Sequence, residues 1–296
     1  MLKCYNSGMI GKTDMITLDD GRVLGFAQYG DLNGKPLFYF HGWPASRLSA
    51  EVYHQLGKKL HIRIIAPDRP GYGISDFQND RTLLDWPDDV LAIADFLHIT
   101  KFAVMGVSGG GPFAAVCAYK IPKRITRTGI VVGLSPMYGK EALDGMMWMS
   151  KIGWENFGKY SWLRVVSSLG QFFLARYSPS LGLYRYLFPS DTDRKLHSSK
   201  ELRLRTKETM KEAFRQGWYG PAHDLMLYST DWGYKLSDIH IPVSLWYGAN
   251  DKNVSLNMGK HYKEKILNSK LIVYPREGHL ISLTHAEDIL RMLFVG

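Results

Sequence analysis

Cysteine is scarce in this chain. Only Cys4 and Cys117 occur among 296 residues, and Cys117 falls in an apolar helical stretch, which argues against a disulfide framework and makes a reducing cytoplasm the expected compartment. No run reaches the roughly eighteen apolar residues that a membrane-crossing helix needs, so no span is expected. The opening Met1-Leu2-Lys3-Cys4-Tyr5-Asn6-Ser7-Gly8 lacks the charged-then-apolar layout of a signal peptide. The ten histidines show no metal-ligand spacing, and Gly109-Gly110-Gly111 lacks the lysine and spacing of a phosphate-binding loop. Neither a metal nor a nucleotide or flavin cofactor is expected. Zinc-finger and RNA-binding signatures are missing as well, so nucleic acid is not an expected partner.

What the chain does have is apolar mass. Hydrophobic residues make up 45% and charged residues 22%, a balance that excludes a disordered chain and supplies a sizeable core. Lysine plus arginine (37) outnumber aspartate plus glutamate (28), but the excess is scattered. It is mildly enriched over Lys195–Arg215, where Lys200, Arg203, Arg205, Lys207, Lys211 and Arg215 alternate with acids, as on a solvated helix face.

Short apolar strands alternate with amphipathic helices through the first third. Leu37–Phe40, Ile62–Ala66, Phe102–Val107 and Gly129–Leu134 read as strands, and Arg47–Leu60, Asp85–Leu97 and Pro112–Tyr119 as helices. Strand, helix, strand in succession requires crossovers, hence an α/β fold with a parallel sheet covered on both faces. Met15–Leu18 and Arg22–Tyr29 flank Asp19-Asp20-Gly21 as an antiparallel edge hairpin. From Pro136 to His240 the alternation stops and the period is helical, with many aromatics. Ile241–Tyr247, Lys270–Tyr274 and a helix over Thr284–Phe294 then resume the pattern. Residues 1–135 and 241–296 are therefore expected to form the core, and 136–240 a helical cap.

Three segments carry chemistry. Gly106-Val107-Ser108-Gly109-Gly110 matches G-x-S-x-G between an apolar strand and a helix. A serine on so tight a turn needs small neighbours, which Gly106 and Gly110 supply, and its hydroxyl then projects above the sheet. A hydroxyl attacks only when a base takes its proton. His279, in Glu277-Gly278-His279-Leu280 after the last strand, is the candidate base. His41 is its rival but follows an early strand, where its ring reads as a brace. Asp251, in the loop after the penultimate strand, is the candidate acid, on the side of an open α/β sheet where ligands gather. Backbone N–H groups of Gly109 and Trp43 are the candidate oxyanion donors. Pro44 does not interfere, since Trp43 would donate.

These segments, together with His41-Gly42-Trp43-Pro44 and Asp68-Arg69-Pro70-Gly71-Tyr72-Gly73-Ile74-Ser75, resemble the α/β-hydrolase fold superfamily over nearly the whole chain. The resemblance implies an eight-stranded, mostly parallel sheet, a helical cap inserted after strand six, and Ser108, Asp251 and His279 as a catalytic triad. Epoxide hydrolases and haloalkane dehalogenases resemble this layout but carry aspartate at the elbow, so Ser108 excludes their alkyl-enzyme chemistry. The elbow also departs from the Gly-Gly-Ser-Trp-Gly form of proline iminopeptidases.

Trp148, Trp154, Trp162, Phe172, Phe173, Tyr184, Tyr186, Trp218, Tyr219 and Trp232 stand in the helical stretch. They either line an apolar pocket or pack the cap itself; Trp148, Trp218, Leu280 and His41 are the candidate pocket residues. Met146-Met147-Trp148-Met149 reads as a lid edge or a homodimer surface. The expected partner is a small, hydrophobic ester-type molecule. The expected activity is hydrolysis of a carboxylic ester or lactone through an acyl-enzyme. Thioester, amide or carbon–carbon bond cleavage by the same triad, and a non-catalytic ligand receptor of the same fold, are the alternatives.

Overall fold

Apolar strands and amphipathic helices assemble here as one sheet covered on both faces. The computed structural model describes residues 11–137, 140–178 and 190–295. Cys4, the opening octapeptide, Tyr184, Tyr186 and the side chain of Met149 lie outside the described residues. Strands β1 (Lys12–Thr17) and β2 (Val23–Gly30) form the edge hairpin, with Thr17 opposite Val23. They are followed by β3 (Lys35–Phe40), β4 (Ile62–Pro67), β5 (Phe102–Val107), β6 (Ile125–Val131), β7 (Val243–Gly248) and β8 (Ser269–Tyr274). The order across the sheet is β1-β2-β4-β3-β5-β6-β7-β8. β2 meets β4 antiparallel, and every later pairing is parallel.

Period two explains why β5 is apolar throughout. Phe102 and Val104 join one core cluster, Ala103, Met105 and Val107 the other, and all six of its residues are buried. Helices α1 (His54–Leu60), α2 (Trp86–Phe96) and α3 (Gly111–Lys120) connect the early strands. Val90, Ile93 and Ala94 of α2 and most of α3 pack on the Phe102 face, whereas Leu56 and Leu60 of α1 pack on the Met105 face.

Between β6 and β7 the chain builds α4 (Trp148–Phe157), α5 (Ser161–Tyr177), α6 (Asp191–His197), α7 (Lys200–Ala213) and α8 (Tyr219–Ser229). α9 (Leu256–Lys265), α10 (Ile281–Thr284) and α11 (Ala286–Val295) complete the order. The sixth strand differs from the expected Gly129–Leu134. It starts at Ile125, with Thr126 and Arg127 exposed, and ends at Val131, because Val132 turns to φ +42°, which no strand accommodates. The last helix splits in two around His285. In the basic stretch, Arg205 lies 3.4 Å from Glu201 and Arg215 3.4 Å from Glu212, while Lys200 and Lys211 are exposed. Among the described residues no helix is long and apolar enough to cross a membrane.

Candidate active site

Strand β5 ends at Val107, and a 3-10 turn over Ser108–Gly110 leads straight into α3. Ser108 sits at φ +54°, a left-handed conformation that costs a non-glycine residue about 1–3 kcal/mol. The flanking glycines are required by contact. A Cβ at Gly106 would lie 2.1 Å from the Gly110 carbonyl oxygen, and one at Gly110 would lie 2.1 Å from that of Phe40. Behind the turn, the Leu134 N–H donates to the Ser108 carbonyl at 3.1 Å.

The three candidate catalytic side chains meet at this turn. His279 Nε2 is 3.1 Å from Ser108 Oγ, and its Nδ1 is 2.7 Å from Asp251 Oδ2. A carboxylate only accepts, so the imidazole hydrogen belongs on Nδ1 and the Nε2 lone pair faces the hydroxyl. The other oxygen, Asp251 Oδ1, accepts the N–H groups of Asn253 at 2.8 Å and Val254 at 3.0 Å, which fixes the carboxylate from behind. Burial works against an imidazolium at His279. The charge and hydrogen bond of Asp251, helped by the charge of Asp193, outweigh it and hold His279 above the ordinary histidine value.

Gly109 opens the turn into α3, so its N–H has no intrahelical partner. The His41–Trp43 loop passes directly over it: the Trp43 nitrogen lies 3.0 Å from where a Cβ on Gly109 would stand. The orientation of that loop is set by its carbonyls. Gly42 O accepts from Arg69 Nη2 at 3.1 Å and lies 2.9 Å from His41 Nδ1, and Arg69 Nη1 donates to His41 O. The Gly42–Trp43 peptide is trans, so pinning its C=O toward Arg69 turns the Trp43 N–H away from Arg69. Trp43 thus packs against Gly109 at the elbow, and the neighbouring Gly42 packs on Ser108: a Cβ there would stand 3.3 Å from Ser108 Cβ and 3.8 Å from its Oγ.

His41 does not line a pocket. It is 0% exposed, and its ring braces the loop through Gly42 O while Nε2 accepts the Arg69 N–H at 3.4 Å. Burial, aided by the Arg69 charge, holds it well below the ordinary histidine value, so it stays neutral.

The aromatics of the helical stretch are placed in different surroundings. Trp148 and Trp162 are 68% and 60% exposed. Trp218 stacks on the exposed Tyr219 ring at 4.1 Å, and Trp232 is buried in the main core beside Tyr234 and Tyr262. Helical spacing alone does not say which face meets the sheet. Clefts of about 210 and 310 Å³ lie between the Arg47–Tyr53 segment and α7. Leu280 lines the first, and neither is lined by Ser108 or His279. The aromatics that do adjoin Gly109 are Trp43 and Tyr228, whose hydroxyl is 2.7 Å from a Cβ placed on Gly109, with Trp154 edge-on to Tyr228 at 6.0 Å.

Sequence reading missed the groups that tie the helical insertion to this site. Asp224 of α8, 0% exposed, receives Arg69 Nε at 2.8 Å, Tyr72 OH at 2.7 Å, Tyr228 OH at 3.3 Å and Arg81 Nη2. The Arg69 guanidinium is also held between the rings of Tyr72 and Phe113, at 4.9 and 4.6 Å. Trp43 Nε1 donates to Pro221 O at 2.8 Å. Asp193 of α6 accepts the N–H groups of His279 and Leu280. A lone acid among Ala222, Leu225, Leu227 and Tyr228 was the one local signal for Asp224; Asp193 has none.

Residues 35–286 match the family model of the alpha/beta hydrolase fold. The chain is 24% identical over 281 residues to the bifunctional esterase/perhydrolase DCH of Acinetobacter calcoaceticus, covering 93% of this chain and 95% of that protein. It is 27% identical over 300 residues to an uncharacterised hydrolase of Saccharomyces cerevisiae, covering 97% and 98%. A solved esterase from Exiguobacterium antarcticum superposes with a TM-score of 0.66 at 18% identity, covering 95% of this chain and 97% of that one. With most of its length matched by the family model and its sheet in the same order of elements that the motifs imply, the chain belongs to the alpha/beta hydrolase fold family.

Proposed function

We propose that the protein hydrolyses a carboxylic ester or lactone with an apolar part through an acyl-enzyme on Ser108. The observation that carries this reading is the unbroken chain Asp251–His279–Ser108, with hydrogen-bond distances of 2.7 and 3.1 Å. In this mechanism Ser108 Oγ attacks the carbonyl carbon as its proton passes to His279 Nε2. Asp251 holds the tautomer and stabilises the imidazolium. The Gly109 and Trp43 N–H groups receive the oxyanion, a contribution of about 3–4 kcal/mol for each donor in working sites. His279 then protonates the leaving alcohol, and water, deprotonated by the same imidazole, releases the acid. The esterase name of the Acinetobacter relative supports an ester over an amide, and the half-buried Trp43 beside Gly109 supplies apolar surface there. In the same reading the α4–α8 insertion is a cap over the core, and the protein acts in a reducing cytoplasm.

A fluorophosphonate probe followed by peptide mapping tests nucleophile, base and access together; the adduct is expected on Ser108. The base must be neutral, so kcat/KM for p-nitrophenyl esters should rise through an acid limb lying above pH 6.5, the ordinary histidine value. Acyl-CoA thioesters, anilides and vinylogous diketones are expected to turn over more slowly. No adduct at Ser108, or a preferred substrate from one of those other classes, overturns the proposal.

A further inference from the structure

The loop that carries His279 is held from two sides. The core side is the Asp251 bond already described. The other side is α6, seven residues of the insertion from Asp191 to His197. Asp193 Oδ2 accepts the His279 N–H at 2.7 Å and Oδ1 the Leu280 N–H at 2.9 Å, so one carboxylate spans two consecutive amides. Asp193 is 2% exposed. Its own N–H donates to Ser190 Oγ at 3.1 Å, and Thr192 Oγ1 donates to Arg276 O at 3.1 Å.

Gly278 shows how closely the two parts fit. A Cβ there would stand 2.1 Å from Asp193 Oδ2 and 2.2 Å from Ser190 Oγ. The glycine before the histidine is thus explained by contact with the insertion, independently of any role in the turn. Burying a carboxylate costs several kcal/mol unless it is bonded, and Asp193 meets that cost by bonding the backbone of the candidate base.

Resting on the esterase reading above, we propose that Asp193 is a positioning residue for His279, through which the helical insertion sets the base's placement and proton affinity. Charged groups face His279 from both sides. Asp251 comes from the loop after β7 and Asp193 from α6, with His197 one turn further along α6. Glu277 on its own loop pairs with His285 at 3.2 Å. Asp193 and Asp251 both favour the imidazolium. Withdrawing one negative charge lowers the affinity of His279 for its proton, and releasing the two amides loosens the ring's approach to Ser108. A displacement of about 1 Å in such a group can cost on the order of 10²-fold in rate.

The test uses the full chain and the Asp193→Asn variant, reading ester hydrolysis and fluorophosphonate inactivation against pH. In this variant the acid limb should move to lower pH in both assays, and kcat above the limb should fall about 10- to 100-fold with KM within about threefold. Asp193→Glu keeps the charge without the span, so its limb should return toward wild type while kcat stays low. A residue that only braces the fold would lower kcat and leave the limb in place, so an unmoved limb overturns the proposal whatever the rate. If Asp193→Asn does not fold, Gly278→Ala, which drives a methyl group against Asp193 Oδ2 but keeps its charge, is read instead: kcat should fall with the limb near wild type, and wild-type kcat in that variant overturns the placement of His279 by Asp193. Wild-type protein that neither reacts with the probe nor turns over esters sinks the esterase reading itself, a result distinct from an active enzyme with an immobile limb.

Discussion

Replacing Ser108 by alanine should lower kcat for a p-nitrophenyl ester by about 10⁵-fold or more, the scale on which a serine hydrolase loses its nucleophile. The melting temperature should move little. Alanine keeps the Cβ and therefore the strain at φ +54°, and the lost Ser108–His279 hydrogen bond has a net value of only about 1 kcal/mol. Ser108→Gly separates the two effects. Glycine removes a left-handed penalty of about 1–3 kcal/mol and gains about 0.5–1 kcal/mol of unfolded-chain entropy. Relief of strain outweighs that entropy and leaves the folded state favoured by about 1 kcal/mol, a rise of about 1–2 °C in a protein of this size. An inactive Ser108→Gly variant that melts above Ser108→Ala would show strain held at the elbow. A glycine variant melting below the alanine one would refute it, and substantial turnover by either variant would remove Ser108 from the reaction.

The elbow was legible in the sequence because its requirements are local. A serine between two glycines, after an apolar strand and before a helix, has few other uses, and strand ends pointed to Asp251 and His279 in the same way. The sheet was legible through β5 and β7, apolar along their length because both faces are covered. Other features depend on contacts made at a distance. Val132 ends β6 through its backbone angle, which its β-branched side chain gives no sign of. Trp148 and Trp162 look like pocket residues in a one-dimensional pattern, yet they occupy exposed faces of α4 and α5. Asp193 looks like an ordinary acid in the first turn of a helix, since Ser190 caps that turn as any N-terminal serine would. Only the approach of the Gly278–Leu280 backbone gives it another role.

Asp224 concerns stability as much as chemistry, and its removal is expected to be the most costly change outside the elbow. Asp224→Ala strips the acceptor from Arg69, Arg81, Tyr72 and Tyr228 at once, in a site with no exposure. Breaking a buried pair on one side typically costs about 3–5 kcal/mol, because the surviving charge stays buried without its partner; in a protein of this size that is on the order of 10 °C. Burial alone would raise the carboxyl, but Arg69, Arg81 and the Tyr72 hydroxyl override it and hold Asp224 well below the usual carboxylate range. The sign follows from that depression. A carboxyl lowered in the folded state contributes stability that is fully present above its unfolded value, about 3.9, and is lost only as pH falls through the folded one. The difference between wild type and Asp224→Ala should therefore be flat from about pH 5 to 9 in denaturant or thermal melts. The same variant removes the Nε anchor that aims Arg69 at His41 O and Gly42 O, so the loop carrying Trp43 is held less firmly. Ester kcat should drop below wild type even at temperatures where the variant is fully folded, up to the roughly 10²- to 10³-fold that deletion of one oxyanion donor costs. A melting difference that grows steadily toward alkaline pH, or a folded variant with wild-type kcat, would show that Asp224 neither stabilises the fold as an ionised partner of these arginines nor orients the oxyanion loop.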